Sequence, residues 1–305
     1  MRFNKVIMIN KIIKLLKRYQ LRKSRNEELK KNQLVRKEFI LNGSIPWSDG
    51  YHEYKVESII SAIQDSQLLK CFKDRNIPEN FGIKLDERVV EYPWIFSKLE
   101  QGSQRILDAG STFNFDYIVR NDALMDKDLT IYTYAPENVS FNKNRISYVY
   151  GDLRDLPFKN DLFDVVVSQS TIEHIDMDNS MYGYDIENKG NSKTKSYEYL
   201  QAISEMIRVL NKRGILLLTF PYGKFENHGF FQQFDEDMVD KILDLFKGKG
   251  SVTVDYLKYE LEGWRFASKN EVKNSESYNP HSGKGKKEDF AAHSRSVACI
   301  EFNKN

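Results

Sequence analysis

Five short apolar runs decide how this chain folds: RILDAG (105–110), LTIYTY (129–134), ISYVYGD (146–152), FDVVVSQS (163–170) and ILLLTF (215–220). Each has the length of a buried strand and gives way to a turn or to polar residues. Between the last two, residues 197–212 place Leu200, Ile203, Met206, Ile207 and Leu210 on one helical face, and Gly214 stands where it would cap that helix. Asp235 to Phe246 reads as another helix, and 251–258 and 294–302 as two more strands, with only the polar segment 267–290 between them. Strands alternating with helices predict an α/β fold, a mostly parallel seven-stranded sheet with helices on both faces. The final pair, with no helix between its members, predicts an antiparallel pair around a long excursion.

Upstream, Tyr54, Ile59, Ile60, Ile63, Leu68 and Leu69 fall at helical spacing over 51–72, and Asp86 is placed to cap a helix over 87–101 that contains Pro93. The expected organisation is an arm (1–42), a helical cap (43–103) and the main domain (104–305). The arm is basic. Residues 1–40 hold 13 Lys/Arg and 3 Asp/Glu, a balance of +10, whereas the whole chain carries only +2, leaving −8 on the remainder. Val6–Tyr19 reads as a helix with Ile9, Ile12, Ile13 and Leu16 on one face and Lys11, Lys14 and Arg18 away from it. Such a helix suits an anionic membrane surface; docking on the body or on a second subunit is the plainer alternative. No apolar run exceeds four residues and mean hydropathy is −0.58, which excludes a chain built of membrane-spanning helices. Two cysteines, Cys71 and Cys299, make no disulfide framework, which fits a reducing, cytoplasmic compartment. No GxGxxG follows the first strand, and basic residues do not interleave with aromatics on the body. Both facts argue against a dehydrogenase and against a nucleic-acid partner.

In parallel sheets ligands bind beyond the C-terminal strand ends, where strand order reverses. Here those ends are Asp108–Asn114, Thr133–Glu137, Gly151–Leu153, Ser168–His174 and Pro221–Lys224. ILDAGS (106–111), GDLRDLPF (151–158), FDVVVSQSTIEHI (163–175) and SEMIRVLNKRGILLLTFP (204–221), in this order, resemble the class I S-adenosylmethionine-dependent methyltransferases. That resemblance implies a Rossmann-like, doubly wound sheet and S-adenosylmethionine as cofactor. It implies a donor site formed by Asp108, Ala109, Gly110, Ser111, Thr112 and Asn114 of the first turn, with Thr133, Asp152, Leu153, Ser168 and Ser170. Asp108 would hold the donor's ammonium group and Asp152 its adenine amino group. Thr112 and Asn114 replace the family's later turn glycines, and Thr133 stands where a carboxylate usually accepts from the ribose, a role Glu137 could take instead. Each of Asp108 and Asp152 could equally cap only its own turn.

Glu173 and His174 lie where the family places substrate-facing groups. His174 is the candidate base for a hydroxyl acceptor, with Glu173 to orient it; a packed, hydrogen-bonded histidine is the plainer reading. Ser170 stands in place of the first Glu of a Glu-x-x-Glu-His pattern, so no metal is expected. LDERVVEYPW (85–94), MDNSMYGY (177–184), PYGKFENHGFFQQFD (221–235) and GWRF (263–266) resemble methyltransferase-like proteins of surface-polysaccharide assembly. From them Tyr92, Trp94, Tyr222, His228, Gln232, Gln233 and Arg265 are candidate contacts to a sugar or glycan acceptor, or simply packing for the cap. The expected activity is O-methylation of a glycan hydroxyl, with the arm holding the enzyme peripherally at the inner membrane face. The alternative is a catalytically inactive relative that binds a glycan or a partner.

Overall fold

A computed structural model describes residues 23, 27, 29–141, 145–180, 194–289 and 291–305; the expected arm helix over Val6–Tyr19 and the Met181–Tyr184 part of the MDNSMYGY block lie outside them. The chain divides into two compact units, Met1–Glu57 and Ser58–Asn305. In the first, residues 29–41 are helical (α1) and a turn leads into α2 (Tyr51–Gln64). Phe39 is buried between Tyr51 and Tyr54, and Gly50, at φ +87°, lies against the Val35 carbonyl where a side chain would collide. No described helix is long and apolar enough to cross a membrane.

The expected helix over 51–72 is two helices, because the Asp65 side chain accepts from the Gln67 and Leu68 N–H groups and starts α3 (Ser66–Lys73) afresh. The next helix, α4 (Arg88–Phe96), is shorter than the expected 87–101; Asp86 does accept from the Arg88 N–H at its start, and Pro93 lies within it.

The second unit is built on β1 (Arg105–Ala109), β2 (Asp128–Thr133), β3 (Ile146–Tyr150), β4 (Phe163–Gln169), β5 (Leu210–Pro221), β8 (Gly250–Glu260), β9 (Gly263–Ala267) and β10 (Ser296–Lys304), in the order β3-β2-β1-β4-β5-β10-β8-β9. The first five are parallel, and β10, β8 and β9 follow as antiparallel neighbours. A small hairpin, β6 (Glu226–Asn227) with β7 (Gln232–Gln233), stands apart. The sheet is Rossmann-like and doubly wound. It has eight strands, one more than the seven expected: β9 arises because Gly263, at φ +104°, fits against the Phe81 carbonyl, to which the Trp264 N–H donates at 2.8 Å.

Alternation in β5 sorts the two faces. Leu216, Leu218 and Phe220 join the core under α6 (Tyr199–Val209) and α7 (Glu236–Phe246), while Thr219 faces α4. Each fully buried aliphatic chain stabilises this arrangement by about 1.5–3 kcal/mol. Gly214 does not cap α6: the helix ends at Val209, and Gly214 lies within β5, where an added Cβ would sit 3.0 Å from the Asp164 carbonyl. Strand order reverses between β1 and β4, so their C-terminal ends open the crevice in which the site must lie.

Candidate active site at the strand reversal

Asp108 ends β1 fully buried, and its carboxylate organises the turn that follows. Oδ1 accepts from the Thr112 N–H and hydroxyl, both at 3.1 Å, and Oδ2 from the Phe113 N–H at 2.7 Å. Burial outweighs these bonds and pushes the Asp108 carboxyl up to about 7. Gly110 has φ +131°, and a Cβ there would lie 2.1 Å from Thr171 Oγ1, so the β4 loop closes directly on the β1 turn. Ser111 follows at φ +61°, its buried Oγ without a partner. The Tyr92 hydroxyl donates to the Thr112 carbonyl at 2.6 Å, and Phe113 is buried beside Tyr92 and Phe96. Tyr92, expected at an acceptor, thus braces the turn that follows β1.

At the next two strand ends, Thr133 is buried, and Glu137 rather than Thr133 brings a carboxylate to the turn. Asn114 Nδ2 donates to Glu137 Oε2 at 2.7 Å and to the Val139 carbonyl at 3.0 Å, while the Tyr148 hydroxyl donates to Asn114 Oδ1. Asp152 accepts from the Arg154 backbone N–H at 2.8 Å and from its guanidinium. Burial alone would raise its pKa, but the Arg154 bonds and charge hold it below the usual value. The Asp152 carbonyl accepts from the Tyr132 hydroxyl, and Leu153 packs against the core.

The β4 end supplies the other wall. Ser168 Oγ and Gln169 Oε1 are buried without partners. Ser170 Oγ and Thr219 Oγ1 both donate to Glu91 Oε1 at 2.6 Å, and Arg88 Nη1 donates to Glu91 Oε2 at 2.8 Å. A short 3-10 turn, Ile172–His174, then carries the candidate acid–base pair. Glu173 is buried, its Oε2 has no partner, and burial raises its pKa well above the usual carboxyl range. His174 faces the Phe230 carbonyl through Nδ1 at 2.7 Å. Burial, countered only in part by that bond, drives its pKa down to about 4. The ring is therefore neutral at physiological pH with its proton on Nδ1, and Nε2 carries the lone pair.

Phe230 and Phe231 gather four of the five histidines of the chain. His174 lies beside both rings, His228 stacks on Phe231 at 4.6 Å, His281 meets Phe230 edge-on at 4.9 Å, and His293 approaches Phe231 at 6.0 Å. His293 Nε2 also pairs with Glu87 Oε1 at 2.9 Å, and Glu87 Oε2 is buried without a partner.

Of the other expected acceptor contacts, the Tyr222 hydroxyl and Gln233 Oε1 are buried without partners, and the remaining polar groups are engaged within the chain. Trp94 Nε1 donates to Asp255, Gln232 exchanges two bonds with the Ser196 backbone, and Gln233 donates to the Lys224 and Ser275 carbonyls. Tyr222 packs on Tyr256 at 4.8 Å, and Arg265, on the edge strand β9, pairs with Glu260 and Glu271. Only His228 of that set joins the histidine–phenylalanine wall. Sequence reading missed Glu87, Arg88, Glu91, Thr171 and His293. The signal for the first three was present: four charged residues in DERVVE (86–91), at the start of a helix whose every residue from Val89 to Phe96 is buried.

Residues 110–218 match the family model described as a methyltransferase domain. No curated protein matches the sequence. Among solved structures, the chain is similar to a Burkholderia thailandensis 1,6-didemethyltoxoflavin-N1-methyltransferase with bound S-adenosylhomocysteine (10% identity, 67% of this chain and 72% of that one, TM-score 0.37). It is also similar to an S-adenosylmethionine-dependent methyltransferase from Thermotoga maritima (14%, 69% and 86%, TM-score 0.39) and to the cyclase SpnF (15%, 78% and 80%, TM-score 0.42). The family match starts on Gly110 and runs through β4 and α6 into β5, the segment that forms the crevice. Over residues 110–218 the chain thus matches a methyltransferase domain.

Proposed function

We propose that this methyltransferase methylates a hydroxyl of a sugar or glycan, with His174 as the base and Glu173 holding the acceptor oxygen. The observation that carries this reading is the His174 ring, fixed as the neutral Nδ1–H tautomer by the Phe230 carbonyl and preceded in the chain by Glu173, whose carboxyl is pushed by burial well above the usual range. An amine acceptor can attack through its own lone pair. A hydroxyl must also lose a proton, and Nε2 is the atom to take it. The Phe230–Phe231 wall suits the C–H face of a sugar, and the unpartnered oxygens of Glu87 and Glu173 suit its hydroxyls.

The residues at the strand reversal fit S-adenosylmethionine, which supplies an electrophilic methyl group on a sulfonium centre. Ser111 Oγ and Gln169 Oε1, buried and without partners, flank the β1 turn and would bind the amino-acid portion together with Asp108. Glu137, held by Asn114, offers the carboxylate for the ribose hydroxyls. Thr171 against Gly110 keeps the turn in place, and α4 excludes water from behind. The basic residues 1–40 would hold the enzyme on the anionic inner face of a membrane, where lipid-linked glycans are assembled.

Acceptor-dependent release of S-adenosylhomocysteine across a panel of monosaccharides and oligosaccharides tests the reading. His174→Ala is expected to slow turnover by about a hundredfold or more while changing the affinity for S-adenosylhomocysteine less than about twofold. Unchanged turnover would remove the assignment. With donor saturating, turnover is expected to stay flat down to about pH 5 and to fall only as the pH drops through about 4, because the base form of His174 persists above that value.

Asp108 gives the opposite pH signature, in donor affinity. Its folded pKa of about 7 lies above the unfolded value, so the free protein holds a proton there below about pH 7. The stability this lends is fully present below the unfolded pKa and is lost as pH rises through about 7. A bound ammonium group favours the ionised carboxylate. Donor affinity is therefore expected to weaken by up to about tenfold per pH unit below 7, with proton release on binding. Calorimetry in buffers of different ionisation enthalpy reads this directly, and pH-independent affinity would separate Asp108 from the donor.

A further inference from the structure

We infer that residues 29–47 form a wedge that inserts into an anionic membrane surface, with Ile45 and Trp47 at its tip and the lysines of α1 in the headgroups. This inference deepens the membrane part of the reading above and uses none of its chemistry.

Large exposed apolar side chains are concentrated here. Of the thirteen among the described residues, six lie between positions 29 and 47: Leu29, Leu34, Ile40, Leu41, Ile45 and Trp47. Leu41 is 84% exposed and Ile45 54%. Concentrated apolar surface of this kind marks an interaction site rather than ordinary scatter. The segment is also built to be presented. Gly43 and Ser44 at positive φ reverse the chain after α1, and Trp47 at φ +68° rests on Tyr51 with ring centroids 4.6 Å apart. Phe39, buried against Tyr51 and Tyr54, anchors the turn from beneath. A tip so anchored loses little conformational freedom on insertion.

Charge selects the partner. Met1–Glu57 holds 14 Lys/Arg against 6 Asp/Glu, a balance of +8, whereas the rest of the chain carries 32 against 38, or −6. Lys30, Lys31 and Lys37 are exposed on α1 among the apolar side chains, and Lys55 Nζ lies 5.7 Å over the Trp47 ring. A tryptophan flanked by long cationic side chains fits the boundary between acyl chains and headgroups. The polar–apolar mixture with net positive charge fits phosphatidylserine-like lipid better than a second copy of the same cationic surface, which would repel it.

The full-length chain reports on this without a label. Its other two tryptophans, Trp94 and Trp264, are buried, so a lipid-dependent emission change belongs to Trp47. Vesicles of phosphatidylcholine with about one third phosphatidylserine are expected to shift emission to shorter wavelength and to sediment the chain, and high salt is expected to weaken both. The doubly substituted Leu41→Asp/Ile45→Asp chain, altered only at exposed positions, is expected to partition about tenfold more weakly. Three results would overturn the inference. Failure to sediment would remove the membrane reading altogether. Equal sedimentation of both chains with unchanged emission would leave residues 1–28 as the anchor and the wedge idle. An emission shift that grows with protein concentration in the absence of lipid would show that a second copy covers the patch. S-adenosylhomocysteine titration of the same variant reads the donor site separately.

Discussion

Alanine at Gly110 is expected to lower stability by about 3 kcal/mol and donor affinity by at least about tenfold. Two costs combine. At φ +131° any side chain strains the backbone, and the new Cβ would overlap Thr171 Oγ1, Cγ2 and Cβ at 2.1, 2.5 and 2.8 Å. Relief by moving the β4 loop would drag the 3-10 turn with it, and so displace Glu173 and His174. Relief by moving the β1 turn would break the Thr112 and Phe113 bonds to Asp108. Either way the damage reaches the site. Adding Thr171→Gly should remove the overlap but not the strain, recovering about half of the lost stability in denaturant unfolding and part of the affinity for S-adenosylhomocysteine. A single variant as stable as the parent would show that the two loops do not meet as described.

Glu91→Ala is the other large loss, at about 3 kcal/mol or more. Glu91 is fully buried and accepts from Ser170 Oγ, Thr219 Oγ1 and Arg88 Nη1. Alanine would strand two hydroxyls and a guanidinium together. The estimate sits at the lower end for breaking a buried ion pair because the Arg88 side chain keeps some contact with water. Glu91→Gln retains an acceptor for both hydroxyls and should lose less, with the remaining loss due to the unbalanced Arg88 charge. Combining Glu91→Ala with Arg88→Ala should therefore be less than additive. Thermal unfolding of the four chains gives the comparison, and strict additivity would show that the two side chains do not act as a pair.

The parallel half of the sheet was legible because its strands are buried on both faces, so that VVV in β4 and ILLL in β5 appear as continuous apolar runs. Local patterning misled where a single side chain decides an element's limits. Asp65 divides the 51–72 helix by offering its own carboxylate to two N–H groups, and apolar periodicity does not register such a competition. Gly214 has the place of a helix cap after an amphipathic stretch, yet the helix ends at Val209, and a Cβ at Gly214 would meet Leu210 Cδ1 at 2.8 Å, the Asn211 carbonyl at 2.9 Å and the Asp164 carbonyl of β4 at 3.0 Å.

The site divides in the same way. Asp108, Gly110, Ser170, Glu173 and His174 are brought together by strand order, and the motifs already placed them at strand ends. Glu91 and His293 reach the crevice from a helix before β1 and a loop before β10, contacts that no local pattern encodes. Glu137 lies between these cases. It was visible as a carboxylate near the right turn, but its hydrogen bond from Asn114 was not. Trp94, Gln232 and Gln233 had the composition of sugar-binding residues, and each has found a partner in the scaffold.

The position of β10 bears on how the chain is made. Although it follows β8 and β9 in sequence, it is inserted between β5 and β8, bonded to both. Until residues 296–304 leave the ribosome, those two partners expose bare hydrogen-bonding edges and the Ile215–Phe220 run has one side open. Nascent molecules stalled before that point would be targets for chaperones and for one another.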